Sequence, residues 1–165
     1  MIGWITGRPA SGKTTLGQAL VDALRAAGRA SELVDSDEVR RALTPHPTYA
    51  DDERRIVYRS IAYVARRLSE VSIIPIVAAT AHDGALRAAV REVCGAMLFI
   101  HADCPLEVCE ARDPKGLYRV ARAGPGRMPG VHLPWVDPTD ADFVVRTDQA
   151  IAQGVLDQLL CALTR

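Results

Sequence analysis

The residues best suited to chemistry form two short clusters near the N-terminus of this 165-residue chain. The first, GRPASGKT at residues 7–14, has the spacing G-x-x-x-x-G-K-[S/T] of a phosphate-binding loop. In such a loop the glycines let backbone N–H groups point at phosphate oxygens, and the following helix adds its dipole. Lys13 is expected to reach the β and γ phosphates, and the Thr14 hydroxyl to hold magnesium.

The loop therefore predicts a nucleoside triphosphate site. The alternative is an ordinary Gly-rich turn with an exposed lysine, but an apolar run before the loop and helical spacing after it favour the phosphate site. The residues predicted to bind the nucleotide are Gly7, Arg8, Pro9, Ala10, Ser11, Gly12, Lys13, Thr14 and Thr15.

The second cluster is the carboxylate pair Asp35 and Asp37, in the stretch LVDSDEVRRAL. It follows an apolar run that predicts a strand, and open α/β sheets bind ligands at the carboxyl ends of their strands. A carboxylate here can orient magnesium-bound water or accept the proton of an attacking hydroxyl. The structural alternative is that Ser36 or Asp37 caps a helix beginning near Glu38, and the two roles are compatible.

Strands and helices must position these clusters. The apolar runs MIGWIT, SELVD, SIIPIVAA, AMLFIHA and DFVVRT predict five strands, with helical spacing between them. Strands without polar alternation, separated by helices, predict an α/β fold with a parallel sheet covered on both faces, in one domain spanning residues 1–165. Pro75 weakens the boundary of the third strand, because proline donates no hydrogen bond to a sheet.

The segment 112–142 is rich in Gly, Pro and Arg and has no clear period. A loop of this length in a compact domain predicts a functional lid or a disordered insert. Arg112, Lys115, Arg119 and Arg122 would share one side if the segment were helical, and such a row of cations suits the oxygens of a phosphoryl group in transfer. The alternative is a solvated basic surface.

Composition narrows the class of function. The charges of twenty basic and twenty acidic residues cancel, so the net charge gives no reason to predict a nucleic-acid or membrane partner. No apolar run approaches the roughly 20 residues that span a bilayer. The four cysteines form no CxxC pair, and the chain begins without the pattern of a secretion signal, which predicts a cytoplasmic protein with reduced thiols.

Three blocks of the chain resemble the adenylylsulfate kinases, which phosphorylate the 3′-hydroxyl of adenylyl sulfate with ATP. GRPASGKTT resembles the family's phosphate loop, DSDEVR resembles D-G-D-N-V-R, and CPLEVCEARDPKGLYRVARAG resembles T-P-L-E-V-C-E-x-R-D-x-K-G-L-Y-K-K-A-R-A-G. The resemblance runs over nearly the whole chain. It implies a P-loop NTPase fold with a lid, the cofactors ATP and Mg²⁺, a small-molecule acceptor and a homodimer.

The resemblance also implies roles for individual residues. Thr14 and Asp35 would hold the metal, Asp37 would act as base with Lys13 and Asp35 assisting, and Arg112 would join the ATP-binding set. Tyr49 takes the place of an aromatic that stacks on the acceptor's adenine. The implied acceptor-binding residues are Asp37, Arg40, Tyr49, Arg54, Ala81, Lys115, Gly116, Leu117, Tyr118 and Met128.

The acceptor side departs from the family pattern. TAHDG stands where the family has I-S-P-[FY]-R, and Val57 replaces an asparagine. Gly84 thereby replaces an arginine, and Arg87 is the candidate to replace its charge. We expect adenylyl sulfate to be bound poorly, and an acceptor that offers a neutral or donor group to Asp83 and His82 to be preferred.

Two other classes of function compete with a kinase. A non-catalytic nucleotide-binding regulator would have no use for Asp35, Asp37 and Lys115. A simple nucleotide hydrolase would leave the γ-phosphate open to water, which a long closing lid disfavours.

Overall fold

The computed structural model describes all 165 residues. Strands and helices alternate along the chain as predicted. Their bounds are β1 Ile2–Thr6, α1 Lys13–Ala26, β2 Ser31–Asp35, α2 Ser36–Leu43, α3 Asp51–Glu70, β3 Ile74–Ala78, α4 Gly84–Cys94, β4 Met97–Asp103, α5 Leu106–Arg112, α6 Leu117–Ala123, β5 Phe143–Arg146 and α7 Gln153–Leu163.

The five strands form one parallel sheet in the order β2-β3-β1-β4-β5. One face packs against α3 and α4 around Trp4, Ile61 and Phe99, and the other packs against α1 and α7 around Leu20 and Leu159. Every residue of β1 and β3 is buried, which explains their uninterrupted apolar sequence. The predicted fold is confirmed, and the carboxyl ends of all five strands meet at one edge of the sheet.

Pro75 lies inside β3 without breaking the sheet. The Ile74 N–H donates to the Ala30 oxygen on the β2 side, so the nitrogen of Pro75 faces β1. Pairing with β1 begins one residue later, with Gly3 opposite Ile76. The missing N–H of the proline therefore falls just outside the paired stretch, where it costs no ladder hydrogen bond.

The segment 112–142 is more regular than its composition predicted, because α6 lies within it. Gly116 directly precedes this helix as its N-cap, with a φ of 65° in the left-handed region that favours glycine. Tyr118 in α6 is buried, and its hydroxyl donates to the Pro9 oxygen at 3.1 Å. This bond ties the segment to the loop after β1. None of the helices of the chain combines the length and apolar character that a membrane span requires.

Candidate active site

The loop between β1 and α1 needs both glycines of its sequence pattern. A Cβ at Gly7 would lie 2.4 Å from the Ser11 hydroxyl oxygen and 2.7 Å from the Ala102 oxygen. Gly12 has a φ of 89° and precedes the first residue of α1. The first turn of α1 leaves backbone N–H groups without helical partners, which makes this end of the helix suited to an anion.

Lys13 follows Gly12 at the start of α1, and its side chain is partly buried against the loop. Its Nζ donates to the Gly7 oxygen at 3.1 Å and to the Arg8 oxygen at 2.7 Å. Burial lowers the pKa of Lys13 to about 8, although Asp37 and Asp35 act in the opposite direction. An ammonium group has three donors and only two are used here. The arrangement fits a ligand whose negative charge would stabilise this cation.

Thr14 and Asp35, both predicted to hold magnesium, are in contact. The Thr14 hydroxyl donates to Asp35 Oδ2 at 2.8 Å, and Asp35 Oδ1 accepts from the Asp37 N–H at 2.8 Å. Hydroxyl and carboxylate oxygens are the hard ligands that Mg²⁺ prefers, and it takes its remaining ligands from water and substrate phosphates. These residues therefore fit the metal.

The second contact of Asp35 makes it the cap of α2. The predicted cap, Ser36 or Asp37, was wrong, and the helix begins at Ser36 rather than near Glu38.

Asp37 and Lys115 meet at the mouth of the cleft. Lys115, in the turn between α5 and α6, donates to Asp37 Oδ2, and both side chains are more than half exposed. The fold thus brings the predicted lid lysine onto the predicted base, although 78 residues separate them along the chain.

The predicted row of four cations is wrong, because α5 and α6 are separate helices. Arg112 and Lys115 line the cleft, but Arg119 and Arg122 do not. Arg122 pairs instead with Glu110.

Beyond Gly12 the cleft continues along residues that the sequence reasoning missed. The cleft is lined there by Arg112 and by four residues after the carboxyl end of β5: Thr147, Gln149, Ala150 and Ile151. The Thr147 N–H and hydroxyl donate to the Asp103 oxygen at 2.9 and 3.0 Å, which fixes this loop beside β4. The rule that ligands bind at strand ends would have found the loop, because DFVVRT had been predicted as a strand.

On the opposite side of the phosphate loop, the structure brings together Arg40, Tyr49 and Arg54. The guanidinium carbons of Arg40 and Arg54 lie 4.8 and 5.4 Å from the centre of the Tyr49 ring. Arg54 is 5% exposed and donates to the Tyr49 oxygen at 3.0 Å and to the Arg127 oxygen. Tyr49 remains 41% exposed and lines the cleft. Glu53, which pairs with Arg40 at 2.8 Å, was missed by the sequence reasoning.

The remaining predicted residues differ in how they face the cleft. Gly116, Leu117 and Met128 line it, and Tyr118 is buried beneath it. The Arg8 side chain points away, with its guanidinium 5.0 Å over the Trp135 ring, so that only its backbone contacts Lys13.

Ala81 is fully buried behind the cleft wall, and its φ is 39°. Its N–H donates to the hydroxyl oxygen of Tyr58 at 3.0 Å. Tyr58 is a further cleft-lining residue that the sequence reasoning missed.

The loop 81–84 presents no cation to the cleft. His82 is buried, which lowers its pKa despite the neighbouring Asp83 carboxylate, and Asp83 caps α4 by accepting from the Leu86 N–H at 2.8 Å. Arg87 is 5% exposed and donates to the Ala81 and Val136 oxygens at 3.3 and 3.0 Å. Arg87 therefore connects this loop to the segment after α6. Its guanidinium group is held by these backbone oxygens, so it does not replace the missing arginine in the cleft.

A P-loop beside a strand-end carboxylate, in a five-stranded parallel sheet with a helical segment over the cleft, defines the class of P-loop kinases. Residues 1–146 match the family model described as adenylylsulphate kinase. An adenylyl-sulfate kinase from Synechococcus sp. strain JA-2-3B'a(2-13) is 36% identical over 161 residues, 97% of this chain and 92% of the relative. A probable adenylyl-sulfate kinase from Archaeoglobus fulgidus is 39% identical over 147 residues, 88% of this chain and 95% of the relative.

The chain belongs to the adenylylsulphate kinase family. Its fold is also that of the Mycobacterium tuberculosis APS kinase CysC, solved in complex with AMPPNP and APS. The TM-score is 0.90 at 28% identity, covering 99% of this chain and 97% of the other. The predictions of a kinase and of ATP and Mg²⁺ as its cofactors are thereby confirmed.

Proposed function

We propose that this chain transfers the γ-phosphoryl group of ATP to the 3′-hydroxyl of adenylyl sulfate. The observation that carries the proposal is one continuous cleft of about 1470 Å³. It runs from the loop after β5, past Lys13, to Tyr49 and Arg54. A site for one small ligand usually occupies about 300–1,000 Å³, so this cleft has room for two nucleotides on either side of the phosphate loop.

The residues around the transferred group have distinct roles. The loop N–H groups and Lys13 hold the phosphates, and Thr14 and Asp35 would hold magnesium. When bound, the metal neutralises charge on the phosphate oxygens. Asp37 accepts the proton of the acceptor hydroxyl once Lys115 has left its carboxylate, and Lys115 is then free to face the phosphates.

The acceptor lies against Tyr49, with Arg40 and Arg54 near its charged groups and Leu117 and Met128 on the facing wall. The commitment of Arg87 to the fold leaves loop 81–84 without a cation, which supports weak binding of adenylyl sulfate. It also favours a second candidate, the phosphorylation of a less charged nucleotide or hydroxylated metabolite.

A phosphate-transfer screen with labelled ATP tests both candidates. The acceptors are adenylyl sulfate and a panel of nucleotides and hydroxylated metabolites. Labelled product from adenylyl sulfate supports the proposal. A panel member with a much higher kcat/KM establishes the second candidate instead, and labelled inorganic phosphate alone contradicts both.

We further propose a single domain with residues 112–142 as its lid, acting as a cytoplasmic homodimer that binds neither nucleic acid nor membrane. Ile56, Tyr63 and Val64 on α3 are exposed apolar residues, which supports a second copy as the partner. Light scattering measures the oligomeric state, and protection of the lid from proteolysis by a non-hydrolysable ATP analogue tests its closure.

A further inference from the structure

Glu53, in the first turn of α3, makes four hydrogen bonds through one carboxylate. Oε2 accepts from the Thr48 N–H and the Thr48 hydroxyl, both at 2.7 Å. Oε1 accepts from the Tyr49 N–H at 3.1 Å and from Arg40 at 2.8 Å. A carboxylate has about four acceptor positions, and all of them are used here. The Thr48 donors contribute most to lowering the pKa of Glu53 to about 2.

The first effect of these bonds is on the backbone of Tyr49. Its φ of 56° lies in the left-handed region, which a bulky residue adopts only when its surroundings enforce it. Its N–H is held by Glu53, and its oxygen is held by Arg54 at 3.0 Å. Glu53 therefore helps to fix the one backbone conformation that directs the Tyr49 ring into the cleft.

The second effect is on Arg40, whose side chain is 11% exposed and whose partner in the structure is Glu53. The pair spans from α2 to α3 and holds the Arg40 guanidinium 4.8 Å from the Tyr49 ring. One carboxylate thus sets the distance between an aromatic face and a cation, and both line the acceptor side of the cleft.

We propose that Glu53 is a positioning residue for the acceptor, holding Tyr49 and Arg40 in the geometry that receives a nucleotide. The inference rests on the proposed function. Glu53 acts through the two residues beside it, so its removal should affect binding of the acceptor and leave binding of ATP unchanged.

Steady-state kinetics with adenylyl sulfate test the acceptor step. In Glu53→Gln an amide group replaces one accepting oxygen and the charge is lost. We expect the KM for adenylyl sulfate to rise about tenfold to a hundredfold, since the negative charge that strengthens these bonds is lost together with one of the two accepting oxygens. The KM for ATP should stay within about twofold. Glu53→Asp, which keeps the charge, should recover part of the loss.

Glu92→Gln is the matched control. It breaks a Glu–Arg pair of similar length, 3.1 Å to Arg59, on an exposed surface. It should leave both KM values unchanged. Equal rises in the two KM values of Glu53→Gln, or an unchanged KM for adenylyl sulfate, overturn the proposal.

Amide hydrogen exchange on the protein alone tests the positioning step independently of the acceptor. The Thr48 and Tyr49 amides should be protected in the parent chain and lose that protection in Glu53→Gln. Fast exchange of these amides in the parent overturns the proposal. A parent that protects them but transfers nothing to adenylyl sulfate contradicts the proposed function alone.

If Glu53→Gln does not fold, Thr48→Val removes one donor to Glu53, and Thr48→Ser keeps that donor as its control. Thr48→Val should raise the KM for adenylyl sulfate in the same direction by a smaller factor. Identical KM values in these two variants overturn the proposal.

Discussion

At the scale of single residues, the candidate site depends on a few polar groups whose partners are fixed by the fold. Lys13 donates to two loop carbonyls, Asp35 accepts from the Thr14 hydroxyl and from the first turn of α2, and Asp37 contacts Lys115. The spacing of the phosphate loop predicted Lys13 and Thr14, and the place of Asp35 after an apolar run that predicts a strand made it a candidate. The contact of Asp37 with Lys115 was not predicted, because no local pattern relates residues that are 78 positions apart in the chain.

Replacing Asp37 by Asn separates binding from chemistry. The amide cannot accept the hydroxyl proton, so phosphoryl transfer should fall by roughly 10² to 10⁴, as is typical when a general base is removed. Binding of magnesium-ATP, measured by calorimetry, should stay close to that of the parent. Equal losses of binding and turnover would make Asp37 a metal-binding or structural residue instead.

Tyr58→Phe tests the buried hydrogen bond between Tyr58 and loop 81–84. Removal of the hydroxyl leaves the Ala81 N–H without its partner, so the free energy of unfolding should fall by about 1–3 kcal/mol. Urea denaturation measures the change. Tyr63→Phe, on an exposed ring of the same helix, is the control and should have no effect. Matching stabilities of the two variants would show that the Ala81 bond contributes nothing.

At the scale of elements, the strands were predictable and the segment over the cleft was not. Uninterrupted apolar runs of buried strands are a strong signal, and all five predicted strands were confirmed. In contrast, α6 has only seven residues, with a glycine on each side, and two helical turns are too few to show a hydrophobic periodicity in the sequence. Glu53 lies in the charged stretch DDERR, where one acidic residue looks like its neighbours until the folded loop surrounds it.

Because Glu53 connects α2 and α3, the free energy of unfolding is expected to depend on pH in the acidic range. The pKa of Glu53 is lowered from 4.5 to about 2, so its stabilisation is fully present above pH 4.5 and is lost as the pH falls through about 2. The parent should therefore be more stable than Glu53→Gln at neutral pH, and this difference should shrink between pH 4.5 and 2. Urea unfolding across this range measures it. A difference that is independent of pH would contradict the pKa shift.

An arginine restored in loop 81–84, at the start of α4, is expected to strengthen binding of adenylyl sulfate. A Cβ at Gly84 would meet no atom nearer than 4.0 Å, so a side chain can begin there without a steric clash. Gly84→Arg should lower the KM for adenylyl sulfate about tenfold to a hundredfold, the contribution expected of one charge-assisted hydrogen bond. Gly84→Ala is the control and should leave the KM unchanged. A parent KM already in the low micromolar range, with no gain from arginine, would contradict weak binding.

In the molecule as a whole, the parallel sheet brings the carboxyl ends of its strands to one edge, where the loops that follow them line a single cleft. The loop after β1 holds the phosphate site at the centre, the loop after β5 lies on one side, and α2 and α3 lie on the other with Tyr49. The sequence motif predicted the phosphate loop at the centre of the cleft. The residues on the two sides of the cleft were predicted only in part. The sides are built from single residues brought together by the fold, and such contacts leave no periodic pattern in the sequence.

The cleft is proposed to bind ATP and a nucleotide acceptor side by side, so that the γ-phosphoryl group passes from one to the other. Phosphorus NMR of a reaction with ATP, Mg²⁺ and adenylyl sulfate tests this proposal most directly, with Lys13→Ala as the inactive control. We expect ADP and an equal amount of a new phosphate monoester on the 3′-hydroxyl of adenylyl sulfate. ADP and inorganic phosphate without a new phosphate monoester, or equal turnover by Lys13→Ala, would contradict this transfer.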